Sequence, residues 1–198
     1  RMLSLVSVAS KSAGLKAYIK ENKADDEELM NATVRQGDII KTIIKCAGGE
    51  TVCLTLDTSL PVSYSRGLQF HGTKGMYMEE GDRFFIDHEY EEHFWRVNLS
   101  CGNAKEYEDK YMHPVWKKYM EEGVQEGGHD GMDWLEFDRM FDCILEGREP
   151  ELDVYDAAAW MCITALSEKS IALGNMPVEV PDFTNGMWTM RKPIEFKA

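Results

Sequence analysis

The chain changes its hydrophobic period part-way along, and that change constrains the fold more than any single motif. Asp38 to Lys45 (DIIKTIIK) is rich in β-branched residues and faces Thr51 to Thr58 across Ala47-Gly48-Gly49-Glu50, which predicts a β-hairpin. Leu3, Leu5, Val6 and Val8 predict an earlier strand, and Met76 to Met78 and Phe84 to Ile86 two later ones. Asp38 to Ile86 therefore reads as an antiparallel meander. Beyond it the period becomes helical. Ala104 to Tyr111 predicts a short helix, and Pro114 to Glu122 another, with proline in the first turn where its missing N–H costs nothing. Met132 to Leu145 puts Met132, Leu135, Met140, Phe141, Ile144 and Leu145 on one helical face. Val154 to Leu173 has Asp153 as N-cap and Gly174 as its stop. At about 1.5 Å per residue it spans roughly 30 Å, enough to cross a sheet. Its Trp160, Met161, Ile163, Leu166 and Ile171 are expected in the core against that sheet. Val178 to Pro181 reads as a last short strand and Thr184 to Ala198 as a tail. Strands first and helices second, without βαβ alternation, give an α+β class: an open, mainly antiparallel sheet with helices packed on one face.

The stretch Leu60 to Gly75 (LPVSYSRGLQFHGTKG) carries more polar groups than a core strand needs. Pro61 marks a strand end or edge, since it has no N–H to give a ladder. Tyr64 and Arg66 then stand at the rim of a sheet, where a rigid scaffold positions side chains for a ligand. Gly72-Thr73-Lys74-Gly75 predicts a tight turn into the next strand. The competing reading is a solvated surface loop.

With 198 residues the chain fits one large domain, or at a stretch two small ones, and its 43% hydrophobic content can fill a core. A net charge of −13, from 35 acidic against 22 basic residues, argues against nucleic acid and against an anionic membrane surface. Acidic runs at Asp25 to Glu28, Glu89 to Glu92 and Glu146 to Asp156 read as solvated faces, the first as a linker. No apolar run reaches the roughly 18 residues of a transmembrane helix. The five cysteines form no CxxC pair and read as reduced and mostly buried, although Cys46 and Cys53 flank the hairpin turn and could face each other. The opening Arg1-Met2-Leu3 runs straight into strand alternation without an initiator or leader, which suggests a piece of a longer protein.

Five histidines are available for chemistry. His88 and His93 lie among Asp87, Glu89, Glu91 and Glu92, but their spacing fits no rigid metal template. His71 reads as a sheet-face histidine and His113 as a helix-start residue. His129, within Gly127-Gly128-His129-Asp130-Gly131 and feeding a long helix, is either presented to a pocket or part of a capping loop. In the second case Asp130 or Asp133 would bond the first helical N–H groups. There is no GxGxxG after a strand, no Walker motif, no nucleophile elbow and no paired carboxylates of glycosidase type.

The segments PVSYSRGLQFHGTKGMYME, EYEDKYMHPVWKK, GGHDGMDWLEFDRMFDCI and DVYDAAAWMCITALSEKSIALGNMPVEVPDFTNG together resemble the C-terminal domain of the Gfo/Idh/MocA family, and more narrowly its NAD-dependent glycoside hydrolase family 109 branch, which is α-N-acetylgalactosaminidase-like. Asp153 to Gly186 is the most specific block. The resemblance implies that residues 1–198 are a substrate and oligomerisation domain whose NAD-binding Rossmann domain lies outside this chain. It implies a carbohydrate substrate and a mechanism in which NAD transiently oxidises the sugar at C3, acidifying the C2 proton. Elimination then expels the aglycone, water adds and the hydride returns. Position by position, Tyr64 in the PxxYSxG context matches a substrate-contacting tyrosine, with Arg66, Lys74 and His129 as neighbours. The family commonly reads His-Gly-Gly-Met-Asp where this chain has His129-Asp130-Gly131-Met132-Asp133, so the Asp130 carboxylate is a departure. The family's proton-transfer tyrosine and histidine would precede Arg1, so no catalytic residue is assigned here and the chain alone is expected to be inactive. The wider family suggests the other sheet face as a homo-oligomer surface. It also implies a periplasmic protein if a twin-arginine signal exists upstream, and a cytoplasmic one otherwise. Two alternatives stay open: the substrate domain of a sugar or polyol dehydrogenase on the same scaffold, and a non-catalytic sugar-binding or assembly module.

Overall fold

The computed structural model describes residues 1–89, 102–121 and 128–192. The chain forms two compact units, Arg1–Pro61 with Glu149–Ile194, and Val62–Arg148 with Glu195–Ala198.

In the first unit, strand β1 (Met2–Ala9) lies antiparallel to β2 (Ile39–Cys46), which pairs with β3 (Thr51–Asp57) in the predicted hairpin. Alternation sends Leu5, Ser7, Thr42 and Ile44 to one face, because Leu5 opposes Ile44 and Ser7 opposes Thr42. The long helix Val154–Ala172 packs on β1 over that face. Leu5 and Ile44, each 1% exposed, form the core with Val178 and Val180, against Met2, Cys162, Ile163 and Leu166. Hydroxyl groups run through the same interface. The Ser7 N–H donates to Ser170 Oγ at 2.9 Å, Ser7 Oγ meets Thr42 Oγ1 at 2.7 Å, and Ser170 Oγ donates to the Met176 carbonyl at 2.7 Å. The short last strand, Val178–Glu179, pairs with β1 and completes a four-stranded sheet. Helix α1 (Gly14–Asn22) is anchored by buried Asp38, whose carboxylate accepts from the Ala13 and Gly14 N–H groups at 2.8 and 2.9 Å. A side chain at Gly14 would collide with the Ser59 carbonyl oxygen. Within the expected acidic linker, Asp26 instead caps the short helix α2 (Glu27–Asn31) by accepting from the Leu29 N–H.

The second unit holds a separate four-stranded antiparallel sheet, β4 (Gln69–Gly72), β5 (Gly75–Met78), β6 (Arg83–Ile86) and β7 (Gly102–Asn103). Thr73-Lys74 makes the predicted turn, and Phe84 joins Tyr77 and Tyr107 in an aromatic cluster with centroids 5.0 and 5.6 Å away. Ala104–Tyr107 is a 3-10 turn leading into helix α3 (Glu108–Tyr111), followed by α4 (Pro114–Glu121) and α5 (Met132–Glu146). The long helix Val154–Ala172 of the first unit is α6, and Val178–Glu179 is β8.

The α+β class and the antiparallel sheets agree with the sequence reading, while several details differ. The meander expected from Asp38 to Ile86 is divided between two sheets, since Val62 to Leu68 takes no regular structure. Trp160 and Met161 are 54% and 75% exposed, because Cys162, Ile163, Leu166, Ser167 and Ser170 supply the inner face of α6. On α5 the residues Met140, Phe141, Ile144 and Leu145 are exposed and Cys143 is buried. Cys53 opposes Ile43 and Cys46 opposes Met2, so these two thiols do not face each other, and Cys53 is exposed rather than buried. The expected tail begins with ordered structure, a 3-10 turn at Met187–Met190 ending in Arg191. Among the described residues no helix is long and apolar enough to cross a membrane.

Candidate functional site

Tyr64 and Arg66 are brought together by the loop that opens the second unit. The Tyr64 ring is 88% exposed, and Arg66 Nε donates to its hydroxyl at 3.4 Å. That contact raises the Arg66 pKa further above its ordinary value. The loop is shaped locally: Gly67 turns at φ 57° and donates to Ser65 Oγ, while the Leu68 N–H reaches the Glu79 carboxylate at 2.9 Å. Since the arginine donates, the phenolic proton of Tyr64 is left to give to a ligand.

Lys74 occupies the exposed turn between β4 and β5, where its carbonyl accepts from the Asp87 N–H at 3.0 Å. No hydrogen bond among the described residues joins Lys74 or His129 to the Tyr64–Arg66 pair. His129 sits at φ 51° in the 3-10 turn Gly128–Gly131, and its Nδ1 lies 2.9 Å from an Asp133 carboxylate oxygen one helical turn on. Gly131 is the N-cap of α5 without a side-chain cap, so the expected capping by Asp133 does not occur, and the side chain of Asp130 lies outside the described residues. Asp133 orients the imidazole instead. His71 lies on exposed β4, and the His113 ring accepts from the Val115 N–H at 3.2 Å. His88 contacts Asp87 at 3.2 Å, whereas His93, Glu91 and Glu92 fall outside the described residues. Among the described residues no three metal-ligating side chains converge.

Sequence reasoning missed a second constellation, in the first unit. An open cleft of about 360 Å³ is lined by Arg1, Asp156, Asp182, Thr184, Trp188 and Arg191 among others. Arg191 grips both oxygens of Asp156 at 2.8 and 2.6 Å and also reaches Asp153 at 3.2 Å. Arg1 lies over the Trp188 ring and 3.5 Å from Asp182. Arg191 pulls the Asp156 carboxyl below its ordinary pKa, and the Thr184 hydroxyl does the same to Asp182. The i,i+3 pair Asp153 and Asp156, a capping box, was the sequence signal for half of this arrangement.

The family profile described as glycosyl hydrolase 109, C-terminal domain, matches residues 1–190. This chain belongs to that family. Of its family 109 relatives, a glycosyl hydrolase family 109 protein of Parabacteroides distasonis is 37% identical over 193 residues. So is a protein of Tannerella forsythia named alpha-N-acetylgalactosaminidase, and one from Solibacter usitatus is 37% identical over 194 residues. Each alignment takes in 98% of this chain but only 40 to 43% of the relative. The family 109 domain therefore spans about two-fifths of the length of the curated relatives it matches. It offers no cradle for a dinucleotide among its described residues. Its strand pairs are antiparallel, and the passage from β1 to α1 carries a single glycine. At that helix start the Ala13 and Gly14 N–H groups are taken by the Asp38 carboxylate, whose charge would repel a pyrophosphate.

Proposed function

We propose that this domain is the substrate-facing part of a glycoside hydrolase acting on N-acetylgalactosaminides, with Tyr64 and Arg66 as its contribution to the sugar site. The reading is carried by the family match across residues 1–190, joined by a relative named alpha-N-acetylgalactosaminidase at 37% identity. NAD is assigned to a Rossmann domain outside this chain, where it supplies reversible hydride transfer. The chain's own part is recognition. Tyr64 projects from the loop with a free phenolic proton for a sugar hydroxyl or N-acetyl oxygen, and Arg66 holds the ring in place. Lys74 and His129 are proposed as outlying contacts, the latter oriented by Asp133.

The test uses the full-length protein and an aryl α-N-acetylgalactosaminide. Release of p-nitrophenol without added NAD⁺ is expected, since the cofactor returns to its starting state each turnover. NADH formed from added NAD⁺ without p-nitrophenol release would replace the hydrolase with a dehydrogenase, which oxidises the sugar and leaves the glycosidic bond intact. Tyr64→Phe should raise KM roughly threefold to tenfold, the worth of one hydrogen bond, with kcat little changed. An unchanged KM would remove Tyr64 from the site.

A further inference from the structure

Val62 to Leu68 carries Tyr64 and Arg66 without regular structure of its own. Inside the loop, Arg66 meets the Tyr64 hydroxyl and the Gly67 N–H bonds back to Ser65. Those contacts shape the loop but fix it to nothing. Among the described residues, two hydrogen bonds tie it to the sheet of the second unit, and both end on Glu79. The Glu79 N–H donates to the Leu68 carbonyl at 2.8 Å, and the Glu79 carboxylate accepts from the Leu68 N–H at 2.9 Å.

The register shows why a side chain is needed there. Gln69 of β4 pairs with Met78 of β5, so Leu68 stands opposite Glu79 at the next position. In a regular antiparallel pair two such residues exchange both backbone bonds. Here the Glu79 carbonyl instead accepts from the Asp82 N–H at 2.9 Å, inside the turn to β6, and the carboxylate takes its place on Leu68. That turn is itself braced, since the Asp82 carbonyl accepts from the Ala104 N–H at 2.7 Å and its carboxylate from the Tyr77 hydroxyl at 3.3 Å. Glu79 is half-buried, whereas Tyr64 stands in solvent. One acidic residue thus hangs an open loop from a held turn. Its charge also acts on Arg66, whose pKa is raised first by the Tyr64 hydroxyl and to a smaller degree by Glu79.

We propose that Glu79 is the positioning residue for the sugar contact of Tyr64: it fixes where the loop leaves the sheet, and so where the Tyr64 hydroxyl meets the substrate. The inference rests on Tyr64 touching the sugar, as proposed above. Glu79 itself touches no substrate in this role.

In the full-length protein assayed with the aryl α-N-acetylgalactosaminide, Glu79→Ala should raise KM roughly threefold to tenfold with kcat little changed. Glu79→Gln keeps an oxygen for the Leu68 N–H and should recover most of that loss. Tyr64→Phe combined with Glu79→Ala should be no worse than Tyr64→Phe alone, because Glu79 acts through Tyr64. An unchanged KM for Glu79→Ala, equal losses for the alanine and glutamine variants, or penalties that multiply in the double variant would each overturn the proposal. Amide hydrogen exchange reads the anchor without any turnover. The Leu68 N–H should exchange roughly tenfold faster in Glu79→Ala than in the natural protein or in Tyr64→Phe. Equal exchange in all three would overturn the proposal as well. The two readings fail separately: a raised KM for Tyr64→Phe but not for Glu79→Ala sinks the positioning role alone. Faster Leu68 exchange in Glu79→Ala, with no p-nitrophenol released by the natural protein, sinks the glycosidase reading and leaves the anchor standing.

Discussion

Ser170 shows how much a small side chain can carry when it is the one partner of a buried backbone group. Its hydroxyl accepts from the Ser7 N–H and donates to the Met176 carbonyl, tying a strand, a helix and the turn after that helix together. Ser170→Ala leaves the Ser7 N–H buried without that partner, and should destabilise the domain by about 1–3 kcal/mol in denaturant titration. A loss below about 0.5 kcal/mol would mean the N–H is satisfied otherwise. Asp156 makes a pH-dependent contribution. Its folded pKa is depressed by Arg191, so the stability it adds is complete above the ordinary value of 3.8 and drains away as pH falls through the depressed one. Asp156→Asn should cost roughly 1 kcal/mol at neutral pH, and its gap from the natural protein should close as pH falls from about 5 to 2. A gap independent of pH would refute the assignment. Neither role was legible in the sequence. Serine is ordinarily a surface residue, and the partner of Asp156 lies 35 positions away with no periodicity to announce it.

At the scale of elements, local chemistry fixed most boundaries. The hairpin of β2 and β3 follows from β-branched runs across a glycine turn, and α6 begins at its predicted cap. Asp153 accepts from the Tyr155 and Asp156 N–H groups at 2.8 and 3.0 Å, and the Asp156 carboxylate returns a bond to the Asp153 N–H. The inner face of α6 was not legible, because its apolar residues are spread around the helix and leave no moment to point with. Tertiary fit chose Ile163 and Leu166 over Trp160 and Met161. The turn that carries Lys74 makes a sharper test. A Cβ at Gly75 would strike the Phe85 carbonyl oxygen on the neighbouring strand. Gly75→Ala should therefore cost about 1–3 kcal/mol and loosen amide protection across β5 and β6 in hydrogen exchange. Unchanged protection would show that the strands part without penalty.

For the molecule as a whole, composition and period were enough for the α+β class, and the family resemblance for the wider assignment. The division into two units was not visible, because nothing in β-periodicity says which sheet a strand will join. The candidate site was half legible. The loop of Tyr64 announced itself by polarity, but Lys74 and His129 make no hydrogen bond with it among the described residues. The Arg191 cleft depends on the end of the chain folding back over its beginning, a long-range event. That closure has a consequence for how the protein is made. The first unit joins Ser7 to Ser170 across 163 positions and pairs β1 with β8, while most of the second is the continuous stretch Val62–Arg148 between its two parts. A ribosome delivers that middle stretch whole, so it can settle while β1 still waits for partners not yet synthesised. The apolar face of the strands Met2–Ala9 and Ile39–Cys46 thus waits uncovered until α6 and β8 emerge, and a chaperone would find its task there.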